Sequence, residues 1–211
     1  MRAWILAAVA ILGTGHLVAR YVGARRAAGC LKPLPIALLA VLVAVDGRPA
    51  AYRWLVVAAL LCSMAGDVLL LFPKRFVPGL ASFLLAHLLY IAAFAPAGGW
   101  DARAWSTLLP FALFGGLMLV ALWRHLGAER VPVMVYVAAI AVMGWRAAVR
   151  AAAPHVPSPS GLLALAGAVS FMGSDSLLAI DRFARHFESA DGLVMVTYYA
   201  GQTLIALSAV A

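Results

Sequence analysis

Charged residues are scarce in this chain of 211 residues: they make up 11% of it, while 65% of the residues belong to the hydrophobic set. A soluble domain carries about 25% charged residues, so this scarcity excludes an ordinary soluble enzyme, a coiled coil and a disordered chain. The glycines and prolines follow no period, which excludes a fibrous protein. The composition therefore predicts an all-α polytopic membrane protein.

Cysteine and acidic residues are also few. Cys30 and Cys62 are the two cysteines, and they cannot form a disulfide framework. Eight acidic residues face 16 lysines and arginines, giving a net charge of +8. In a soluble protein this excess of positive charge would suggest that the protein binds nucleic acid. Here the basic residues lie in short gaps between apolar runs, so we expect no nucleic-acid partner and a membrane orientation signal instead.

Familiar catalytic motifs are missing from the sequence. It contains no Gly-x-Ser-x-Gly elbow, no Walker loop, no dinucleotide fingerprint and no Cys-x-x-Cys. A zinc hydrolase needs three protein ligands around an open position. Zinc would have to use His16, His87 and an aspartate together, which no spacing supports, so we expect no metal and no other cofactor.

Eight apolar segments approach the length of about 20 residues that a membrane-spanning helix needs. Residues with turn chemistry separate them, as at 46–49 and 96–99. The sequence therefore predicts eight transmembrane helices that fill residues 1–211 as a single transmembrane domain. The predicted spans are 3–21, 32–46, 54–72, 79–97, 105–123, 131–150, 160–180 and 192–210.

The basic residues are divided unequally between the two membrane faces. The face that carries the loops after the first, third, fifth and seventh spans holds ten of the 16. The positive-inside rule predicts that this basic face is cytoplasmic and that both termini lie on the other side.

One internal match appears at an offset of 108 residues. Residues 64–70 lie over residues 172–178, which places Asp67 over Asp175, and Tyr90 lies over Tyr198. The match predicts two parallel halves of four spans each, approximately 1–100 and 101–211, related by an axis along the membrane normal. The alternative is a chance match between two leucine-rich helices.

Both aspartates fall inside apolar spans, the third and the seventh. Each lies about five residues before the predicted end of its span, roughly 8 Å below the basic face. An aspartate at the centre of a membrane helix costs about 2.5–3.5 kcal/mol. A single one could cap a kink or pair with an arginine, but two at matching positions favour a functional site.

Other polar residues are expected at a similar depth, because their spans begin or end at the basic face. The position of these polar residues predicts a polar pocket that opens to the basic face. Each has a plainer alternative: the tyrosines suit a core or an interfacial belt, and a lone His16 suits a helix-bonding role. The residues expected to join the aspartates are Ser63, His87, Tyr90, Ser174 and Tyr198.

Four stretches of the chain resemble the YhhN family of integral membrane proteins, which includes the TMEM86-type lysoplasmalogenases. The stretches are Lys32-Pro33-Leu34, Gly66-Asp67-Val68-Leu69-Leu70, Phe83-Leu84-Leu85-Ala86-His87-Leu88-Leu89-Tyr90 and Ser174-Asp175-Ser176-Leu177-Leu178-Ala179. The resemblance implies a fold with eight membrane spans, and we expect the protein in the bacterial inner membrane. It also implies hydrolysis of the vinyl-ether bond of lysoplasmalogens to a fatty aldehyde and a glycerophospho-base.

The resemblance carries the family's motif residues onto Asp67, Asp175, Lys32 and His87. Vinyl-ether hydrolysis needs a proton donor for carbon and a base for water, and two carboxyl groups in a low-dielectric pocket supply one of each. We expect catalysis by Asp67, Asp175 and His87. The remaining predicted site residues bind a lysophospholipid substrate, with the basic ones at its phosphate. They are Lys32, Ser63, Lys74, Tyr90, Ser174, Arg182 and Tyr198.

Two other functions compete with the hydrolase. The parallel repeat also suits a small transporter in which the two aspartates bind a proton or a cation, and a helical scaffold is the third possibility. A transporter needs polar residues that continue to the far face. Residues 54–61 and 161–169, in the far halves of the third and seventh spans, are almost wholly apolar, which favours the enzyme.

Overall fold

Our computed structural model describes residues 1–46, 50–95 and 105–211, and every regular element in these ranges is helical. The all-α prediction is therefore confirmed for the described chain. The predicted turn at 96–99 and most of the one at 46–49 lie outside the described residues. The α-helices are α1 (Arg2–Tyr21), α2 (Arg25–Leu31), α3 (Leu34–Asp46), α4 (Ala51–Leu69), α5 (Phe76–Ala93), α6 (Leu108–Leu122), α7 (Arg130–Ala152), α8 (Ser158–Ala179) and α9 (Ala190–Ser208).

Seven helical segments of the described chain are long and apolar enough to cross a membrane. They are Arg2–Tyr21, Arg25–Asp46, Ala51–Leu69, Pro73–Ala93, Leu108–His125, Gly127–Ala152 and Ser158–Ala184. The eighth predicted span coincides with α9, which has 19 residues. Asp191, the adjacent Tyr198 and Tyr199, and Gln202 lower its hydropathy, so α9 is not among the seven. The multi-pass membrane character is clear, and the eighth span stays a prediction.

The chain divides into two compact units, Met1–Ala93 and Phe94–Ala209. In the first unit α1 packs on α2 and α3, α3 packs on α4, and α4 packs on α5. In the second unit α6 packs on α7, α7 on α8 and α8 on α9. In both units the helix that carries the aspartate, α4 or α8, thus lies against the helix before it and the helix after it.

The second predicted span begins differently from a plain helix. Its transmembrane helix α3 begins at Leu34 with Pro35 in the first turn, where proline is tolerated. The short helix α2 precedes it, over residues for which the sequence predicts a loop. Arg25–Leu31 forms two turns before Pro33, and Lys32 lies between the two helices. Because of this break, the Lys32 side chain does not follow the helical direction of α3.

The aspartate helices end at different distances from their aspartates, so the predicted equal spacing of five residues is wrong. Helix α4 ends at Leu69, two residues after Asp67, whereas α8 ends at Ala179, four residues after Asp175, and continues as a π-helix over Ile180–Ala184. Pro73 explains the early end of α4, because it restricts Phe72 to an extended backbone (φ −107°, ψ 114°). No proline follows Asp175 before the chain turns.

Serine hydroxyls connect neighbouring helices within each unit. Ser82 of α5 donates to the carbonyl oxygen of Cys62 in α4 at 2.8 Å. In the second unit Ser170 and Ser174 of α8 donate to the carbonyl oxygens of Thr197 and Val194 in α9, at 2.8 and 2.9 Å. Such bonds satisfy hydroxyl groups in a medium without water and stabilise helix pairs.

Candidate active site

Asp67 forms an ion pair with Lys32 in the first unit. The aspartate is 1% exposed near the end of α4, and its Oδ1 lies 3.4 Å from the lysine Nζ. The Lys32 side chain is itself only 15% exposed. We expected Lys32 at the phosphate of a substrate, and the structure places its ammonium group on a predicted catalytic carboxyl group. A cation at this distance balances a negative charge on Asp67.

His16 supports the segment that carries Lys32. Its Nδ1 lies 2.9 Å from the carbonyl oxygen of Ala28, which also accepts the backbone N–H of Lys32 at 3.0 Å. Because a carbonyl oxygen only accepts, Nδ1 of His16 is the donor. The histidine is 3% exposed and joins α1 to α2. The helix-bonding alternative for His16 is therefore the one that the structure bears out.

Ser63 and Tyr90 join α4 to α5 below the aspartate. Ser63 lies four residues before Asp67, one turn away on the same helix face, and it shares a hydrogen bond with the Tyr90 hydroxyl. Both side chains are fully buried. Two of the residues predicted for the pocket are thus in direct contact with each other, one turn from the ion pair.

His87 is fully buried on the same helix as Tyr90. Its Nδ1 lies 2.7 Å from the carbonyl oxygen of Phe83, one turn earlier, so Nδ1 carries the proton of that bond. In the neutral imidazole, Nε2 is then the acceptor nitrogen. This tautomer suits a base or an orienting group, and the catalytic role of His87 stays a prediction.

Asp175 has a different partner in the second unit. The hydroxyl of Tyr136, on α7, donates to its Oδ2 at 3.0 Å. Both residues are 8% exposed. We did not single out Tyr136 from the sequence. A signal was present, because a buried tyrosine hydroxyl in an apolar span needs a polar partner and the next span carries the aspartate.

The serines beside Asp175 bond to the main chain. Ser174 donates to Val194 of α9, as described above, and Ser176 donates to the carbonyl oxygen of Met172 at 2.7 Å. Their protons are thereby directed to carbonyl oxygens. Substrate binding by Ser174 stays a prediction. In that role its hydroxyl oxygen acts as a hydrogen-bond acceptor.

Tyr198 packs in an aromatic cluster on α9. Its ring meets the ring of Phe171 edge-on, with centroids 5.4 Å apart, and that of Tyr199 at 5.6 Å. The residue is 3% exposed. This packing corresponds to the core alternative and leaves its predicted contact with substrate as a proposal.

Lys74 and Arg182 lie in the turns that follow the aspartate helices. Lys74 belongs to the 3₁₀ turn Pro73–Arg75, and Arg182 belongs to the π-helix Ile180–Ala184. Both side chains are exposed. Their position at helix ends suits contact with an anionic head group, and phosphate binding by these two residues stays a prediction.

Both aspartates have a side-chain partner from the preceding span, but the two partners differ in charge. Each is bonded by a side chain from the span that precedes it: Asp67 by Lys32 and Asp175 by Tyr136. The first partner is a cation and the second is a neutral hydrogen-bond donor. Within residues 1–46, 50–95 and 105–211, no three His, Cys, Asp or Glu side chains are grouped to hold a metal ion.

Comparison with known families decides the classification. The sequence profile of the YhhN family matches residues 27–209, which is most of the chain. The chain belongs to the YhhN family. The resemblance seen in its motifs is confirmed, and the match includes Asp67, Asp175, Lys32 and Tyr136. It begins after α1, so His16 lies outside it.

Curated relatives of this YhhN chain carry a consistent name. Lysoplasmalogenase TMEM86B of Homo sapiens is 38% identical over 183 residues, which cover 86% of this chain and 75% of the relative. Lysoplasmalogenase TMEM86A of Bos taurus is 36% identical over 192 residues, covering 85% and 77%. A lysoplasmalogenase of Mycobacterium bovis is 35% identical over 161 residues, covering 72% and 59%. No solved structure matches the chain.

Proposed function

We propose that this protein is an intramembrane hydrolase that cleaves the vinyl-ether bond of lysoplasmalogen-like lysophospholipids. The products are a fatty aldehyde and a glycerophospho-base. The observation that carries the proposal is the pair of buried aspartates, each bonded by a polar side chain, in a member of a family whose curated relatives are named lysoplasmalogenases. Carboxyl groups held in an apolar membrane segment are costly, and function is the best reason to retain two of them.

The chemistry of a vinyl ether sets the roles. A carboxylic acid protonates the β carbon, the C=C electron pair forms the new C–H bond, and an oxocarbenium ion results. A carboxylate stabilises that cation and takes a proton from the attacking water. The hemiacetal then collapses to aldehyde and alcohol. Asp67 and Asp175 are the proposed acid and base, with His87 assisting, in a division of labour like that of glycosidase carboxylates.

The proposed substrate lies with its head group at the basic face. Lys74 and Arg182 bind its phosphate, because guanidinium and ammonium groups form charge-assisted hydrogen bonds with phosphate oxygens. Lys32 adds its positive charge to this phosphate site while it stays paired with Asp67. Ser63, Tyr90, Ser174 and Tyr198 contact the glycerol and ether region. The alkenyl chain lies among apolar side chains.

The membrane arrangement is part of the same proposal. We place the protein in a bacterial inner membrane with eight spans in two parallel halves and with the basic face in the cytoplasm. The same order of helix packing in each unit supports the repeat. The charge excess in the loops of one face supports the orientation.

Aldehyde release from lysoplasmalogen by the purified protein in detergent tests the function. Wild type should release aldehyde, and Asp67→Asn and Asp175→Asn should each lower kcat by about 10²- to 10⁴-fold, the usual contribution of a general acid or base. Asp191→Asn is the matched control, because this aspartate is exposed in the first turn of α9, and it should retain activity. Absence of aldehyde with wild type refutes the hydrolase and leaves the transporter.

Two further measurements test the mechanism. If the aspartates act as one catalytic unit, the double Asn variant should be about as slow as the worse single variant, since residues of one unit are non-additive. In deuterated water the aldehyde should gain a single deuterium on the carbon next to its carbonyl group. An aldehyde without deuterium would contradict protonation of the β carbon.

A further inference from the structure

Tyr136 and Asp175 form a buried polar pair within the second unit. Tyr136 lies in the first third of α7, and its hydroxyl donates to Asp175 Oδ2 at 3.0 Å across the packed α7–α8 pair. Both side chains are at least nine-tenths buried. A hydrogen bond to a carboxyl group in such a setting is strong, because water does not compete for either partner.

The direction of this bond distinguishes the two oxygens of Asp175. A protonated carboxyl group has one carbonyl-type oxygen that accepts and one oxygen that carries the proton. A phenol that donates to Oδ2 favours the form in which Oδ2 accepts and Oδ1 carries the proton. The bond also persists after the proton leaves, since a carboxylate accepts at both oxygens.

We propose that Tyr136 is a positioning residue that holds Asp175 as the proton donor of the reaction, with Oδ1 as the donating atom. This inference rests on the proposed function. In the step, the Oδ1–H bond breaks, the C=C electron pair of the vinyl ether forms the C–H bond, and the O–H electron pair stays on the carboxylate. The Tyr136 hydroxyl stabilises the carboxylate that forms, and the oxocarbenium ion balances its charge.

The contrast with Asp67 gives the other half of the assignment. The Lys32 ammonium at 3.4 Å favours an ionised Asp67, which fits a base and a partner for a cation. A neutral phenol matches both protonation states of Asp175, as an acid that loses and regains a proton requires. Within its own unit, Asp175 thus has the partner that a proton donor requires, and Asp67 has the partner that a base requires.

The variant Tyr136→Phe removes the hydroxyl and keeps the buried ring. It should lower kcat about 10- to 100-fold with little change in KM, as expected for a lost hydrogen bond to a charge that develops in the transition state. Tyr21→Phe is the control, because it makes the same change on an exposed tyrosine at the end of α1, and it should match wild type. Tyr136→3,5-difluorotyrosine restores a donor and should recover most of the lost rate.

Infrared difference spectroscopy reads the bond independently of catalysis. The carboxyl band of Asp175, identified as the band lost in Asp175→Asn, should shift in Tyr136→Phe and stay unchanged in Tyr21→Phe. A wild type without aldehyde release but with the shifted band would refute the proposed hydrolase and retain the Tyr136–Asp175 pair. An active wild type whose kcat is unchanged in Tyr136→Phe, or a fluorotyrosine variant as slow as the phenylalanine variant, would overturn the positioning role.

Discussion

A buried carboxylate at the end of a membrane helix needs a compensating charge, and Asp67 receives one from Lys32. Asp67 belongs to α4, and Lys32 lies in the break between α2 and α3, where its ammonium group reaches the aspartate. Removing one partner of a buried ion pair leaves an uncompensated charge, which costs more than removing both. Each partner therefore makes burial of the other charge tolerable, in addition to its part in the proposed chemistry.

Thermal unfolding of two variants in detergent tests the uncompensated charge apart from the chemistry. Lys32→Met should destabilise the protein by about 3 kcal/mol, because it leaves Asp67 buried without its ammonium partner. Asp67→Asn together with Lys32→Met should recover most of that loss, since a neutral pair has no charge to bury. Thermal unfolding in detergent measures both. Equal destabilisation by the single and double variants would show that the loss does not come from an uncompensated charge on Asp67.

Sequence reasoning singled out the two buried aspartates, named Lys32 in a different role and did not single out Tyr136. Asp67 and Asp175 stand out because acids are rare in apolar spans. Lys32 and Tyr136 come from other helices, 35 and 39 residues away, and such contacts depend on how the helices rotate when they pack. Helix rotation also explains why the Ser174 hydroxyl bonds to the backbone of α9. Periodicity predicts a helix, and packing determines which side chains meet.

At the scale of elements, α8 and α9 approach each other closely at two glycines. A Cβ atom added to Gly167 would lie 2.8 Å from the carbonyl oxygen of Gly201, and one added to Gly201 would lie 2.9 Å from that of Gly167. Small residues allow this contact, which is the usual basis of helix association in a membrane. It holds α8, and with it Asp175, against α9.

Two alanine substitutions on the same helix test this contact. Gly167→Ala should destabilise the protein by about 1–3 kcal/mol, because its Cβ would meet the backbone of α9, which cannot move aside as a flexible side chain can. Gly173→Ala, six residues later on α8, meets nothing within 4 Å and should be neutral or stabilising by up to about 1 kcal/mol. Unfolding temperatures in detergent give the comparison. A neutral Gly167→Ala would contradict the close approach.

The helices were predictable and their ends were less so. Long apolar runs between basic loops located the helices from hydropathy alone. The end of α4 depends on Pro73, which acts on the backbone before it. The predicted span 54–72 stops just before this proline, whereas α4 ends three residues earlier, at Leu69. Helix α2 was missed because seven residues of mixed character give too short a pattern to recognise.

At the scale of the whole molecule, the number of spans depends on α9. Its polar residues lower its hydropathy, yet Tyr198, Tyr199 and Gln202 are 3%, 9% and 0% exposed. Polar side chains that face the protein interior do not meet lipid, so they do not prevent a helix from crossing. The burial of these residues therefore favours a crossing α9 and an even number of spans.

Two reporter fusions decide the count. With eight spans and a cytoplasmic basic face, a fluorescent protein joined after Glu188 lies inside and fluoresces, whereas one joined after Ala211 lies outside and stays dark. Alkaline phosphatase at the same two sites should give the opposite pattern, since it is active only outside the cytoplasm. Fluorescence from both fusions would mean that α9 does not cross and that the chain has seven spans. Fluorescence only after Ala211 would keep eight spans and reverse the orientation, which would place the proposed phosphate-binding residues Lys74 and Arg182 on the outer face.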